Sequence, residues 1–293
     1  MDRDAGFLAV NQHSIPAAVG LADAFRLARE AGFDGFEPVV RATGELLADG
    51  TDDAGLARVR ALARESGLSL RTLSSDAWFR FPLADPDPEV RRRSLALGER
   101  LVEMAARLGA EVLHVIPGMV DMPLARPDYP PVPYDDVMRR SIEAVARLAR
   151  KAESEGVRIG LENVWNRFLQ SPLEMRDLID SAGSPAVTAF FDVGNCLAIG
   201  YPEDWIRVLG GARLARVHFK DFRRAAGIAT AAGFVAPLSG DANWPAVMAA
   251  LDEAGYAGPL TVEVACGKHA DPAAHLRALA DALRRLHAMR RRA

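Results

Sequence analysis

The chain has 293 residues, 49% of them apolar, which is enough to bury a large core, and its formal net charge of −3 creates no global field for nucleic acid or an anionic membrane surface. Its two cysteines, Cys196 and Cys266, have neither redox nor metal-site spacing, in keeping with a reducing compartment. No early apolar segment follows the charged start Met1-Asp2-Arg3-Asp4, and no apolar run nears the ~18 residues of a bilayer span. The expectation is a cytoplasmic protein with no membrane or nucleic-acid partner.

Short β-rich runs alternate along the chain with longer amphipathic runs at helical period. Strands are expected at residues 7–12, 35–39, 69–74, 112–116, 158–162, 189–192, 213–219 and 260–264. Helices are expected to follow each, at 19–31, 51–66, 88–108, 134–155, 172–181, 202–209, 244–254 and 272–289. The punctuation agrees. Helical runs close on glycine, as at Ala31-Gly32 and Leu108-Gly109, and several open on proline, as at Asp87-Pro88 and Ser171-Pro172. Eight βα units with right-handed crossovers predict an α/β chain folded as a single-domain (β/α)8 barrel over residues 1–293.

Two connections exceed what such a fold needs. The proline-rich stretch 117–133 and the Ala/Gly-rich stretch 220–241 follow the fourth and seventh strands, and both are expected to be rim loops over a functional site. No Gly-x-Gly-x-x-Gly follows the first strand and no P-loop lysine motif occurs, so no nucleotide cofactor is expected. The basic cluster from Arg284-Arg285 to Arg290-Arg291-Arg292 reads as a solvated helix face and tail.

Four strand-like runs end on a residue that can bind a metal: Glu162, Asp192, His218 and Glu263, spaced 30, 26 and 45 residues apart. In a barrel, adjacent strand ends converge on one rim, so four such side chains can meet. Three carboxylates and one imidazole make a hard, oxygen-rich set, suited to Mn²⁺ foremost, or to Mg²⁺ or Co²⁺, with substrate oxygens completing the shell. Around them, Lys220, Arg223 and Arg167 are candidates to meet a phosphate or carboxylate. Trp78, Trp165 and Phe79 are candidate walls for a sugar's apolar face, and Glu37 and His114 face the cavity if the register allows. His13, after the first strand, has no assigned role.

The motifs Glu162-Asn-Val-Trp-Asn, Phe191-Asp192-Val-Gly-Asn195, Val217-His218-Phe-Lys220-Asp221-Phe and Thr261-Val-Glu263 resemble the xylose isomerase-like TIM-barrel superfamily, in its sugar (phosphate) isomerase/epimerase branch. The likeness extends over nearly the whole chain, through Gly200-Tyr-Pro-Glu-Asp-Trp and Gly240-Asp241-Ala-Asn243-Trp244. It implies one divalent ion on Glu162, Asp192, His218 and Glu263. It also implies an isomerase or epimerase of a sugar or sugar phosphate, with Glu162 and Glu263 as the base and acid pair that works through an enediolate. Homodimers or homotetramers are the assemblies it implies. Two positions depart from the branch's pattern. Asn195 stands where epimerases of free ketohexoses often carry histidine, and Pro237-Leu-Ser239-Gly240-Asp241 lacks a glutamate found in many relatives. The extra histidines of the superfamily's apurinic endonucleases are missing as well. The alternatives are a metal-dependent lyase or dehydratase acting on an inositol- or keto-sugar-like substrate, and a sugar-binding barrel without catalysis.

Overall fold

The computed structural model describes residues 6–47, 49–123, 126–227 and 230–290. The charged start Met1-Asp2-Arg3-Asp4 and the tail arginines Arg291 and Arg292 lie outside the described residues, as do positions 124–125 and 228–229 of the two long loops.

The strands are Leu8–Asn11 (β1), Gly35–Glu37 (β2), Val39–Val40 (β3), Thr72–Ser75 (β4), Val112–Val115 (β5), Arg158–Glu162 (β6), Val187–Asp192 (β7), Leu214–Phe219 (β8), Asp221–Phe222 (β9), Phe234–Val235 (β10) and Leu260–Val262 (β11). One sheet runs in the order β2-β1-β11-β8-β7-β6-β5-β4-β3, and the pairings within it are parallel. Its two ends belong to the single strand expected at 35–39. Pro38 has no N–H for the ladder and splits that strand, so β2 pairs with β1 while β3 pairs with β4. A parallel bridge from Gly35 to Ser69 and a hydrogen bond from the Ser74 amide to the Pro38 carbonyl close the ring. The fold is a (β/α)8 TIM barrel.

The outer layer consists of Leu21–Ala31 (α1), Asp53–Ser66 (α2), Pro88–Leu108 (α4), Tyr134–Glu155 (α5), Pro172–Ser181 (α6), Pro202–Arg213 (α8), Trp244–Glu253 (α9) and Pro272–His287 (α10), and α1 packs beside α10 where the ring closes. Local chemistry sets their ends. At α6, Ser171 and Glu174 form a reciprocal capping box ahead of Pro172, and at α10 the Asp271 carboxylate accepts from the Ala273 and Ala274 amides. α8 runs on past the expected residue 209, through a kink at Gly210. Its Gly211 has no room for a side chain, because a Cβ there would lie 1.7 Å from the Ala254 carbonyl oxygen.

Three short elements were not expected: Ala77–Arg80 (α3), Val193–Leu197 (α7) and the antiparallel β9–β10 pair. Each is too short to establish a hydrophobic period in sequence. They all follow strand ends or lie in the loop 220–241, and they shape the rim above the barrel.

Inside the barrel, side chains two apart on a strand share the inward face. Thus Arg216, two residues before His218, fills the opposite end of the barrel, bonded to Thr72 Oγ1 at 2.9 Å and to Glu111 at 2.7 Å. Phe190, two before Asp192, forms the floor of the site, with its ring edge-on to His218 and His114 at centroid distances of 4.5 and 5.2 Å. Gly160 on β6 leaves space for it, since a Cβ there would meet the Phe190 side chain at 3.0 Å.

Candidate metal and active site

Glu162, Asp192 and His218 stand at or beside the C-terminal ends of β6, β7 and β8, and Glu263 lies one residue past β11. Register places Asp192 opposite His218. One ligand atom from each of the four lies within 4.8 Å of the others. His218 Nδ1 is 3.8 Å from Glu162 Oε1, 3.7 Å from Asp192 Oδ2 and 3.7 Å from Glu263 Oε2. These gaps are too long for hydrogen bonds, and Nδ1, although buried, has no hydrogen-bond partner. Two ligands at about 2.1 Å from a shared ion lie at most ~4.2 Å apart, and the three gaps from His218 Nδ1 fall within that limit, as a single divalent cation beside it requires. The donor set of three carboxylates and one imidazole fits the same hard cation.

Surrounding groups hold each ligand in place. Glu37 Oε1 accepts from His218 Nε2 at 3.1 Å and is itself fixed by Asn11 Nδ2 at 2.6 Å and Ser74 Oγ at 2.5 Å. A carboxylate can only accept, so Nε2 carries the proton and Nδ1 turns toward the cluster. Asp192 Oδ1 accepts from the Asn195 amide at 2.7 Å, which leaves Oδ2 for the cluster. Asn163 fixes the Asp192 backbone, donating to its carbonyl at 3.0 Å and accepting from its amide at 2.8 Å. Glu162 Oε2 meets His114 Nε2 at 2.7 Å, so Oε1 is the oxygen that faces inward. Lys220 Nζ donates to Glu263 Oε2 at 2.6 Å and lies 2.9 Å from Asp192 Oδ2, in ion-pair contact without hydrogen-bond alignment.

The electrostatics follow from this packing. Burial alone would push Glu162 up, but His114, His218 and Lys220 beside it bring its pKa down to about 2. Burial opposes ionisation of Glu263 too, and Lys220 and His218 outweigh it and hold its pKa far below the carboxylate range. Burial favours the neutral forms of His218 and Lys220, yet the carboxylates around them raise both. Glu162 and Glu263 are therefore ionised at neutral pH.

A cavity of about 310 Å³ opens above the cluster, walled by Trp165, Phe234, Phe79 and Met122 and reached by His13 and Asp76. Trp165 packs on Phe234 at 4.6 Å and on Phe222 at 4.8 Å, joining β6's loop to the β9–β10 hairpin. The two long loops both take part, through Met122 and through Ala231 and Phe234.

Of the residues predicted from sequence, Trp165, Asn195, Lys220 and His114 line this cavity along with Glu162, His218 and Glu263. Asp192 is fully buried behind it. Four predicted substrate contacts lie elsewhere. Trp78 is buried in the core, because α3 turns its indole to donate to the His114 carbonyl at 3.0 Å while neighbouring Phe79 takes the wall position. Arg167 adopts a left-handed backbone, φ 58°, and its exposed side chain pairs with Asp121 at 2.9 Å. Arg223 is exposed and reaches the Ser239 carbonyl. Glu37 lies beneath the cavity as the partner of His218 rather than on its surface. Sequence reasoning missed Asn11 and Ser74, small polar residues at strand ends with no motif of their own, and gave Asn163, within the motif Glu162-Asn-Val-Trp-Asn, no role in holding Asp192. His13 acquires a place here, bonded to Asp76 at 2.8 Å on the cavity wall.

Known proteins share this architecture. L-ribulose-5-phosphate 3-epimerase UlaE of Shigella flexneri is 24% identical over 271 residues, 92% of this chain and 90% of that protein. The D-psicose 3-epimerase of Clostridium cellulolyticum H10 superposes with a TM-score of 0.77 at 18% identity, over 95% of this chain and 98% of that one. The IOLI protein, whose crystal structure holds a zinc atom, superposes with a TM-score of 0.80 at 16% identity, over 96% and 98% of the two chains. The sequence profile of the xylose isomerase-like TIM barrel family matches residues 25–286. The chain belongs to that family.

Proposed function

We propose that this protein is a divalent-metal-dependent epimerase of a sugar or sugar phosphate, which moves a proton at the carbon next to a ketose carbonyl. The observation that carries the reading is the placement of two glutamates, Glu162 on β6 and Glu263 after β11, on either side of one buried ligand cluster with β7 and β8 between them. The sugar 3-epimerases among its relatives and structural neighbours support the same chemistry.

Glu162, Asp192, His218 and Glu263 would hold the ion, and Mn²⁺ suits the set best. When bound, the ion polarises the substrate carbonyl and offsets the charge that develops on its oxygens. The protein's own groups handle the proton. One glutamate, ionised, removes it from one face of the carbon. The other, having first taken a proton from solvent, delivers that proton to the opposite face, which inverts the centre and leaves the two with exchanged protonation states. Where Glu162 is the base, His114 favours its ionised form, and where Glu263 is the base, Lys220 does the same. Trp165, Phe234 and Phe79 shield the reacting carbon from bulk water. The reaction belongs in the cytoplasm, where both cysteines remain thiols.

The test is proton exchange in D₂O with Mn²⁺-loaded protein and a panel of ketoses and ketose phosphates. The expected result is one solvent deuteron at the inverted carbon without loss of water. Deoxy or unsaturated products would point to elimination instead, and exchange with no ketose would overturn the proposal.

A further inference from the structure

A second cavity of about 340 Å³ adjoins the first, and Asp76 lines both. Its lining includes Arg41, Arg80 and Arg93, with Asp49 and Asp76 as the other charged residues there among the described residues. Asp76 is already engaged by His13 at 2.8 Å, and Asp49, 82% exposed, lies 3.8 Å from Arg93. The cationic groups thus exceed the carboxylates free to neutralise them.

The arginines are held in position. The guanidinium groups of Arg93 and Arg80 lie over the Phe81 ring, 4.2 and 5.2 Å from its centroid, which limits their rotamers without satisfying their N–H groups. Arg80 has no carboxylate partner among the described residues. Arg41 is the telling member. Its side chain is only 18% exposed, Nε is buried with no hydrogen-bond partner, and its contacts are the Gln12 carbonyl at 3.4 Å and Asp76 at 4.0 Å. A guanidinium N–H that has lost water and found no acceptor carries a free-energy cost that an incoming anion removes.

The first cavity offers no such place. Among the described residues no arginine lines it, and its lysine, Lys220, is bound to Glu263 and Asp192. A phosphoryl group there would face Glu162, Glu263 and Asp76 without a free cation. We propose that the arginine-lined cavity takes the anionic end of the substrate, a phosphoryl group, while the carbonyl end lies at the four-residue cluster. This rests on the epimerase reading and narrows it to phosphorylated ketoses. Arg41 is the principal contact, and Arg80 and Arg93 close the site.

The experiment has two arms, both on Mn²⁺-loaded full-length protein. In the first, inorganic phosphate is titrated calorimetrically into the wild type and into Arg41→Ala, Arg41→Lys and Arg80→Ala. Arg80 is exposed, so its replacement leaves the fold intact. Phosphate is expected to bind the wild type and to lose roughly tenfold or more in affinity with either alanine variant, while Arg41→Lys retains part of it. In the second arm, kcat/KM is measured for ketopentose 5-phosphates and the matching free ketopentoses. The wild type should prefer the phosphorylated series, and Arg41→Ala should raise KM for that series alone by about tenfold or more. No phosphate binding, or equal effects of Arg41→Ala on both series, overturns the proposal. Phosphate binding without a preference for phosphorylated ketoses makes the cavity a free-anion site and overturns the assignment to the substrate. If exchange is absent with every ketose while phosphate binding persists and depends on Arg41, the epimerase reading fails and the anion site stands as a site without that substrate.

Discussion

Glu37 on β2 and His218 on β8 are separated by β1 and β11 in the order of strands around the barrel, yet their side chains meet at its centre, Oε1 to Nε2 at 3.1 Å. The contact sets which imidazole nitrogen faces the three carboxylates. Replacing Glu37 with alanine frees the ring to rotate and removes the acceptor that fixes its tautomer. Affinity for Mn²⁺ is expected to fall about 10- to 100-fold, the usual range for such outer partners. Glu37→Gln keeps an acceptor oxygen and should lose less. Calorimetric titration of both variants with Mn²⁺ checks the order, and equal affinity in all three proteins would contradict it.

Glu162→Gln and Glu263→Gln preserve shape while removing a proton acceptor. Each should lower the rate of solvent deuterium exchange by about 10²- to 10⁴-fold. The two need not be equal for a given substrate epimer, because in the proposed mechanism each glutamate serves one face of the carbon. Glu263→Gln also leaves Lys220, otherwise bonded at 2.6 Å, with Asp192 as its remaining ion pair. Exchange rates measured from both epimers of a substrate separate the two roles. Near-normal rates in either variant would remove that glutamate from the mechanism.

Chelation of the metal proposed for this cluster should cost stability as well as activity. With ligand atoms from three carboxylates and an imidazole within 4.8 Å of one another, the cluster gains from a divalent cation that only the folded chain can assemble. At a free metal concentration of 100 times Kd the linkage is worth about 2.7 kcal/mol. For a domain of this size that corresponds to a Tm shift of roughly 4 °C, recovered on adding Mn²⁺. Differential scanning calorimetry with and without chelator makes the comparison, and an unchanged Tm would argue against a bound ion.

Asp221 anchors the rim from below. Its buried carboxylate accepts from the Phe222 amide at 2.8 Å, the Gly240 amide at 2.9 Å, the Ala242 amide at 3.0 Å and Trp244 Nε1 at 2.8 Å. Asp221→Ala strands four donors and is expected to cost about 2–4 kcal/mol. It should also raise KM, because the loop that carries Phe234 over the cavity is tied down by these bonds. Asp221→Asn retains one acceptor oxygen and should fall between the two. Thermal unfolding and steady-state kinetics on the three proteins provide the check.

Much of the barrel was legible because its signals are local. Proline and glycine punctuation and helical period place α4, α5 and α6 at their observed limits, since these cues act within a few residues. The four strand-end residues could be singled out for the same reason. A residue at the end of a parallel strand faces one rim whatever the rest of the chain does. Trp78 and Arg167 were misplaced because one turn decides their direction. The single turn of α3 points Trp78 into the core and Phe79 into the cavity, and the left-handed backbone at Arg167 turns it outward.

By itself, then, the sequence determined the order of strands and helices and the four candidate ligands, through periodicity and position that need no distant partner. Only the tertiary structure decided how those ligands are held. Glu37 and His218 are 181 residues apart, and Lys220 and Glu263 are 43 apart. Nothing in either local stretch encodes which partner the ring closure will deliver. The same closure sets the arginine-lined cavity beside the first, since Arg41, Arg80 and Arg93 come from three separate segments brought together by packing at the rim.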